Sequence, residues 1–434
     1  MKRLYLFTQI LFSVLLFSAT LSGCAPLSYE SLPTIQPDPV YDALYPYYVE
    51  ICALSQIRST FAKHGGSAGH AVMYLKGVCR DPEADFPTIK VCDPESVDLA
   101  DEEAGVGISV NKIFKNVNWM VIPGKRLFFY GNLDGEEVLD EPRARETVKA
   151  TIEQGLFKGI TIHEQHLTPE DDEEAVLQLL SKGTLGTDFA LTFGRTAFCA
   201  RLPVTREIMG KIVDYLNGLN REYALGTSDY NWSGYHDNCS HTLHNALAAA
   251  SVWPFKKVRS FKVRQFFNLS MPANEFADLS ILANTFPIED FNPIYKDKVK
   301  RQSLLEYNWH PARHGALLKL IPVHQNNKQY DTKIRIFMFQ NPFLKFKSRK
   351  VGELYRDPRY TEIEANLLSF KDHYQAILEK RTASRNEVQT KDEYERVQAA
   401  YYTYVKKQLT DVNEKLELLA ELQNKEPQLN SSKP

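Results

Sequence analysis

The first 24 residues constrain this chain most, because they have the three parts of an export signal. Lys2 and Arg3 give a basic start, an apolar stretch runs from Leu4 to Leu21, and small residues precede Cys24. A segment of this kind is removed after export and takes no part in the folded domain. The sequence therefore predicts a signal peptide at 1–23 and a protein that folds where thiols are oxidised to disulfides.

The end of this signal, Leu21-Ser22-Gly23-Cys24, resembles the lipobox of bacterial lipoproteins. The resemblance implies cleavage before Cys24, fatty acids on that cysteine, and a membrane as the partner that those fatty acids enter. Ala25 follows, which in Gram-negative lipoproteins implies sorting to the outer membrane, facing the periplasm. A transmembrane anchor is the alternative, but polar residues interrupt an apolar stretch that is barely long enough for a core of about 30 Å.

The composition predicts a large globular protein behind a short tether. Residues 24–40 contain four prolines, which favour an extended chain between membrane and globule, so folding is expected to begin near Tyr41. Hydrophobic residues make up 43% of the 434 residues and aromatic residues 12%, enough for one large core or two smaller ones. The net charge of -2 and the lack of a basic run argue against a duplex nucleic acid as a partner.

The number of cysteines predicts that one of them stays unpaired. If Cys24 carries lipid, an odd number remains, and at least one is free unless it bridges to another chain. The remaining cysteines are Cys52, Cys79, Cys92, Cys199 and Cys239. Cys79 and Cys92 flank a short loop that a disulfide could close, but four partners allow three connectivities and the sequence does not choose among them.

Hydrophobic periodicity predicts an α+β protein. Helices are predicted at 48–63, 141–155, 169–180, 205–220 and 238–250, and strands at 68–75, 105–113, 119–122, 126–130, 197–202 and 333–339. An extension at 256–356 has no clear pattern. A helical hairpin is predicted at 357–425, followed by a disordered tail at 426–434. We expect the hairpin to pack on the domain, with a partner-binding coiled coil as the less favoured alternative.

A cysteine at the start of an alanine-rich helix is the first candidate for chemistry. Asp237 or Asn238 can cap this helix, since a short polar side chain accepts hydrogen bonds from first-turn amides. Cys239 then lies in that first turn, where free amides and the helix dipole stabilise a thiolate. The sequence therefore predicts a lowered pKa and a nucleophilic sulfur for Cys239.

A thiolate nucleophile needs a base that accepts its proton and later returns it. His241 and His244 share the helix with Cys239 but point about 200° and about 140° away from it, so neither is expected to be its partner. His70 lies in a predicted strand, and a strand that packs against the helix can bring the His70 ring to the sulfur. Cys239 and His70 are therefore the predicted catalytic pair.

Gly69-His70 at the start of a strand and Asn238-Cys239 at the start of a much later helix resemble circularly permuted papain-like thiol hydrolases. In this group the histidine precedes the cysteine, whereas papain and NlpC-type peptidases have the reverse order. Similar groups include lecithin:retinol acyltransferase-like proteins and PPPDE-type peptidases. The chain most resembles a bacterial family of membrane proteins and lipoproteins with a GH strand and an NC helix, of which some are known as lipoprotein intramolecular transacylases. The resemblance implies an antiparallel sheet packed on a central helix, in a catalytic domain at 41–255.

The resemblance also implies a third group that orients the histidine, on the strand after it. The candidates are Asn111, Ser109 and Asp93. Asn111 is favoured, as an acceptor for the other ring nitrogen of His70. The backbone amide of Cys239 is expected to be one oxyanion donor, and Tyr235 a second.

These features predict a membrane-anchored cysteine hydrolase or acyltransferase of the cell envelope, acting on an amide or ester of peptidoglycan, protein or lipid. Hydrolysis of an amide is ranked first, and transfer of acyl groups between lipids is a variant. The alternative is a non-catalytic envelope scaffold whose C-terminal helices bind a protein partner. No cofactor is expected. Metal binding by His163 and His166 is set aside because their spacing is wrong, and metal binding by His310 and His314 because Pro311 interrupts the motif.

Overall fold

The computed structural model describes residues 26–28, 39–57, 69–167, 172–256, 269, 271–332, 335–340, 346–383 and 392–430. The predicted signal peptide, Cys24 and most of the predicted tether lie outside these residues. No helix in the described part of the chain combines the length and the apolarity that crossing a membrane requires.

The fold is α+β, as predicted from the sequence. The strands are β1 Pro26–Ser28, β2 Tyr48–Leu54, β3 His70–Lys76, β4 Val78–Arg80, β5 Ile89–Val91, β6 Gly105–Ser109, β7 Met120–Pro123, β8 Ala197–Pro203, β9 Leu317–Ile321 and β10 Arg335–Phe337. The helices are α1 Pro39–Leu44, α2 Lys125–Tyr130, α3 Glu141–Glu153, α4 Glu173–Gly183, α5 Arg206–Ala224, α6 Cys239–Ala249, α7 Pro272–Thr285, α8 Phe291–Lys296, α9 Lys298–Tyr307, α10 Phe346–Leu354, α11 Ile363–Ala383 and α12 Asp392–Asn430.

Within the described residues, six strands form one antiparallel sheet in the order β7-β6-β3-β2-β8-β9. β2 pairs along its whole length on both sides, so that Ala53 lies opposite Ala71 of β3 and opposite Phe198 of β8. Every side chain of β2 is buried. A strand enclosed on both faces needs apolar residues at successive positions, and β2 has them at every position except Glu50.

Helices cover both faces of the sheet and create two cores. One core joins Ile51 and its neighbours on the same face to α5, α6, α7 and α10. The other joins Cys52 and its face to α2, α3, α4 and the C-terminal helices α11 and α12. Helix α6 contacts β3, α5 and α7, and nearly all of its residues are buried. The start of α6 is therefore held against the sheet next to the start of β3.

The helix predicted at 48–63 is wrong over Tyr48–Leu54, which form strand β2, and residues 58–63 lie outside the described part of the chain. A short apolar run fits the helical and the strand period equally well. Glu50, which suggests a polar helix face, is instead buried, and its Oε2 lies 2.9 Å from Nε of Arg201 in β8. This cross-strand ion pair joins residues that are distant in the chain, so the local pattern could not reveal it.

The strand predicted at 126–130 is also wrong, because these residues form helix α2. The aromatic residues of this segment favour a strand. However, a single helical turn suffices to pack Phe128 and Phe129 against Tyr74 of β3. The helix ends at Gly131, whose φ of 57° lies in the left-handed region that favours glycine.

Two disulfides leave Cys239 as the free cysteine of the described residues. Cys52 and Cys199 face each other on β2 and β8 and are joined. Cys79 and Cys92 close the hairpin of β4 and β5, one of the pairings that the sequence allows. The prediction of one unpaired cysteine is thus confirmed for the described residues.

The C-terminal part of the chain belongs to the same structural unit as the rest. β9, from the predicted extension, pairs with β8 in the main sheet, and α12 contacts α1, α8, α9 and α11. A strand from beyond the predicted boundary at residue 255 is thus an edge strand of the main sheet. Helix α12 continues to Asn430, so the tail predicted to begin at 426 is helical over its first residues.

Candidate active site

Helix α6 places Cys239 at its first position. Asn238 is the N-cap, in extended conformation, and its Oδ1 accepts a hydrogen bond from the His241 amide at 3.2 Å. This is the capping arrangement that the sequence predicts, with Asn238 rather than Asp237 as the cap. The Cys239 side chain is buried within the fold.

The sulfur of Cys239 lies among backbone amides. The amides of Ala71, Ser240 and Cys239 itself each lower the pKa of the thiol, but burial raises it more strongly, so the net pKa lies above the ordinary thiol value. The predicted lowering is therefore wrong in its net direction. Helix-end amides are present, but the surrounding protein excludes the water that would solvate a thiolate.

His70 opens β3 directly after a glycine that the fold requires. Gly69 has φ +87°, and a Cβ at this position would lie 2.6 Å from the carbonyl oxygen of Leu54. Only glycine fits such a position without strain. His70 itself is buried, and the Ala71 amide that reaches the Cys239 sulfur belongs to the next residue of the strand.

His70 and Cys239 line the same cavity, of about 490 Å³. The other wall residues are mainly apolar or small, with Trp232 and Tyr235 among them. The predicted pair is therefore brought to one site. A cavity of this size suits a small organic group.

A chain of hydrogen bonds runs from His70 into the protein. Nε2 of His70 lies 3.0 Å from Oγ of Ser109, and that hydroxyl donates to Oδ1 of Asp188 at 2.5 Å. A hydroxyl has one proton, so a Ser109 that donates to an ionised Asp188 accepts its second bond from His70. Nε2 then carries the proton, and Nδ1 keeps the lone pair that a base requires.

The residue that contacts His70 is thus Ser109, and the favoured Asn111 is one step removed. Nδ2 of Asn111 donates to Oδ2 of Asp188 at 2.5 Å and to the carbonyl of Gly183 at 2.8 Å. Asp93, the third candidate, is exposed, and its Oδ1 accepts a hydrogen bond from the Glu95 amide at 3.1 Å. Asn111 therefore binds Asp188, the residue that accepts from Ser109, and is not the residue that contacts the His70 ring.

Asp188 is a site residue that the sequence analysis missed. It lies in the turn between α4 and β8, where no motif marks it, and it is fully buried. Burial raises the pKa of Asp188 to about 7, although the hydrogen bonds from Ser109 and Asn111 and the charge of Arg195 act in the opposite direction. Asp188 is therefore a group of this site that titrates near neutral pH.

Arg195 is a second residue that was missed. Its guanidinium is buried, with Nε donating to the carbonyl of Gly186 at 2.8 Å and Nη1 to the carbonyl of Ser55 at 2.7 Å. Burial, and then the charge of Arg195, lower the pKa of His70 to about 3. At neutral pH both Cys239 and His70 are consequently uncharged at rest.

Tyr235, the predicted oxyanion donor, lies at the rim of the cavity and is 57% exposed. The first-turn amides of Cys239 and Ser240 lie closer to the sulfur, since both lower its pKa. These two backbone donors are better placed than Tyr235 to bind an oxyanion formed on a carbonyl carbon that the sulfur attacks.

The other histidines weighed in the sequence lie in separate networks. On α6, Nδ1 of His241 contacts Oδ1 of Asn238 at 3.1 Å, and Nδ1 of His244 contacts Oε2 of Glu275 at 3.0 Å. Neither histidine lines the cavity, in agreement with their predicted orientation.

The histidines proposed and set aside as metal ligands do not come together. Nδ1 of His310 accepts from the Ala312 amide at 3.0 Å, whereas Nδ1 of His314 contacts the Tyr45 hydroxyl at 2.9 Å. The one group of suitably close donor atoms in the described residues is Glu50, Cys52 and Cys199. Its two cysteines form a disulfide and cannot bind a metal as thiolates.

Comparison with known proteins finds no match for this chain among family models, curated proteins or solved structures.

Proposed function

We propose that this protein is a cysteine hydrolase or acyltransferase, with Cys239 as nucleophile and His70 as general base and then general acid. One observation carries the proposal: the free buried cysteine lines the same cavity as His70, with the amide of Ala71, the residue after His70, at its sulfur. The other described cysteines are held in disulfides.

The reaction begins from neutral groups. As the Cys239 sulfur attacks a carbonyl carbon, Nδ1 of His70 takes the thiol proton, so proton transfer accompanies attack and no ion pair precedes it. The carbonyl oxygen becomes an oxyanion, for which the amides of Cys239 and Ser240 are the donors. His70 then gives its proton to the departing amine or alcohol, which leaves a thioester on Cys239.

The second half of the reaction decides between hydrolysis and transfer. Water, deprotonated by His70, attacks the thioester in a hydrolase, whereas an amine or alcohol does so in an acyltransferase. Ser109 and Asp188 hold His70 in the tautomer that serves both halves. They are positioning residues, because they act through the imidazole.

The proposed substrate follows from the proposed location. A lipid on Cys24 would keep the protein at the outer membrane, within reach of peptidoglycan peptides, protein amides and lipid acyl groups. The mainly apolar cavity accepts an amide or ester with an apolar neighbour. Hydrolysis of an amide is ranked first, and mass spectrometry of acyl positions on neighbouring lipids would reveal transfer instead.

The nucleophile is tested by labelling the full chain with a thiol-directed acyl probe, with its disulfides intact. The label is located by mass spectrometry of the peptide that contains Cys239. Cys239→Ala is expected to abolish the label at this peptide, and His70→Gln to slow acylation by about 100-fold, the size of a general-base contribution. His373→Gln, at a half-exposed histidine on α11, is the matched control and should label like the wild type. Equal labelling of the wild type and the His70→Gln variant would remove the base from the proposal.

A further inference from the structure

We propose that a second cavity, at the opposite end of β2 from Cys239, binds a small hydroxylated anion such as an acidic sugar or a polyol phosphate. This cavity, of about 520 Å³, lies between α12 and the segments 44–47, 203–205 and 308–313, and we call it the α12 cavity. It shares no described lining residue with the cavity of Cys239. The inference is independent of the proposed catalysis.

Three buried polar atoms of residues that line the α12 cavity have no hydrogen-bond partner among the described residues. They are Nε1 of Trp309, Nε of Arg313 and Oε1 of Gln408. The three residues are 0%, 7% and 3% exposed, so bulk water does not satisfy these atoms. Buried polar atoms are almost always paired, and leaving one unpaired is unfavourable. The three residues that carry these atoms line one cavity, from which a bound ligand can supply the missing partners.

The charges around the cavity favour an anion. Asp411 is approached by Nη2 of Arg313 at 3.3 Å and by Nζ of Lys415 at 3.6 Å, so a single carboxylate faces two cations. The lining also contains Lys407 and Glu414, which balance each other. One positive charge is thus in excess among the lining residues.

His314 does not change this balance. Its Nε2 lies 3.1 Å from Oδ2 of Asp411, but burial lowers the pKa of His314 to about 4. The histidine is therefore neutral at pH 7. The excess positive charge remains available for a ligand.

The unpaired atoms also indicate which chemical groups the ligand carries. The indole N–H and the guanidinium N–H are donors and suit the oxygens of a carboxylate or phosphate. The amide oxygen of Gln408 is an acceptor and needs a hydroxyl or N–H on the same molecule. Tyr45 and Tyr47 add aromatic surface to the wall, which suits a sugar ring. The shared chemistry is an anionic group next to hydroxyl groups.

The test measures binding of matched pairs of probes to the full chain by calorimetry and by thermal unfolding. Galacturonate is compared with galactose, and glycerol 3-phosphate with glycerol, so that each pair differs by its anionic group. We expect one or both anions to bind and to raise the Tm, with the neutral partner at least tenfold weaker. The pair that binds distinguishes a carboxylate ligand from a phosphate ligand. If neither anion binds, or if sulfate alone produces the same shift, the proposal is overturned.

Three variants each remove one of the unpaired atoms. Trp309→Phe removes the indole N–H, Arg313→Lys removes Nε but keeps the charge beside Asp411, and Gln408→Met removes the amide. Each is expected to weaken binding of the anion by about tenfold, the loss of one hydrogen bond to a charged group. Because Trp309 is fully buried, Trp309→Phe also leaves a small cavity and should lower the Tm of the unliganded protein, so affinities are compared on folded protein.

Trp253→Phe is the matched control, since the Trp253 indole already donates to the His244 carbonyl at 3.0 Å, outside the α12 cavity. It should leave the affinity unchanged. Wild-type affinity in all three cavity variants, measured on folded protein, would overturn the proposal even if an anion binds.

Discussion

At the scale of single residues, the protonation state of Asp188 determines which nitrogen of His70 carries the proton. When Asp188 is ionised it only accepts, so Ser109 donates to it and accepts from Nε2 of His70. When Asp188 is protonated it can donate to Ser109, which then donates to Nε2 and moves the imidazole proton to Nδ1. An Nδ1 that carries a proton cannot act as base.

The acylation rate of Cys239 should therefore rise with pH through the pKa of Asp188, about 7. In Asp188→Asn, the oxygen of the new amide faces Asn111 and its NH₂ donates to Ser109, which imposes the inactive tautomer at every pH. We expect acylation to fall by about 10- to 100-fold and the inflection near pH 7 to disappear. The measurement is the rate of acylation from pH 5.5 to 8.5. A variant that keeps the wild-type pH profile would show that Asp188 does not control His70.

Ser240 affects the sulfur directly. Its hydroxyl is buried without a nitrogen or oxygen partner among the described residues, and it lowers the pKa of the Cys239 thiol. Ser240→Ala should raise that pKa and slow alkylation by iodoacetamide at pH 7 by about tenfold, as expected for one hydrogen bond to a charged atom. Alkylation forms no oxyanion, so its rate as a function of pH reports thiolate alone.

The matched control for this measurement is Ser280→Ala in α7. The Ser280 hydroxyl is buried too, but it donates to the Phe276 carbonyl at 2.7 Å and is absent from the lining of the Cys239 cavity. Its removal should leave alkylation unchanged. Identical alkylation profiles for Ser240→Ala and the wild type would show that the hydroxyl does not reach the thiolate.

The position of His70 depends on the backbone conformation of Gly69, just before β3. In Gly69→Ala, the new methyl group meets the Leu54 carbonyl in a backbone conformation that disfavours side chains. We expect a loss of about 1–2 kcal/mol in the free energy of unfolding. We also expect a larger loss of acylation, since relief of the contact moves His70 away from Cys239.

Gly210→Ala in α5 provides the opposite control. No atom lies within 4 Å of a Cβ built at Gly210, and its φ is not positive. This variant should be more stable by about 0.5–1 kcal/mol, with unchanged acylation. Urea unfolding and acylation are measured on both variants. Full acylation in Gly69→Ala would contradict the role assigned to this glycine.

Local patterns predicted elements well where the pattern had one interpretation. The helix predicted at 205–220 corresponds to α5, because its apolar residues recur at helical spacing. The strand predicted at 197–202 corresponds to β8. The predictions for Tyr48–Leu54 and for 126–130 were wrong, because a short apolar or aromatic run can pack either as a helix or as a strand. Their structure depends on neighbours that are distant in the chain.

The same limit applies to the candidate site. Cys239 and His70 could be predicted because each lies at the start of an element, where local chemistry marks it. Asp188 and Arg195 lie in the segment between α4 and β8, where nothing local indicates that the fold links Asp188 to His70 through Ser109 or brings the charge of Arg195 near the ring. The net pKa of Cys239 could not be predicted either, since it depends on burial by the whole domain.

For the molecule as a whole, several buried histidines make the fold sensitive to acid. Burial is the first cause of their lowered pKa values, and the unfolded chain would titrate them near 6.5. They are His70 and His310, with pKa values of about 3, and His241 and His314, with values of about 4. Between pH 6.5 and 4 the unfolded chain binds a proton at each of these sites and the folded protein does not.

The contribution of these histidines to the free energy of unfolding should therefore be fully present above pH 6.5. It should fall as the pH drops towards 4, by about 1.4 kcal/mol per pH unit for each histidine. Asp188 acts the other way, because the folded protein keeps a proton there up to about pH 7 while the unfolded chain releases it near 3.8. One such group cannot offset four, so the net effect is destabilisation. Urea unfolding at pH 7.5 and pH 5 measures it. Equal free energies at the two pH values would show that these histidines are not buried as neutral rings.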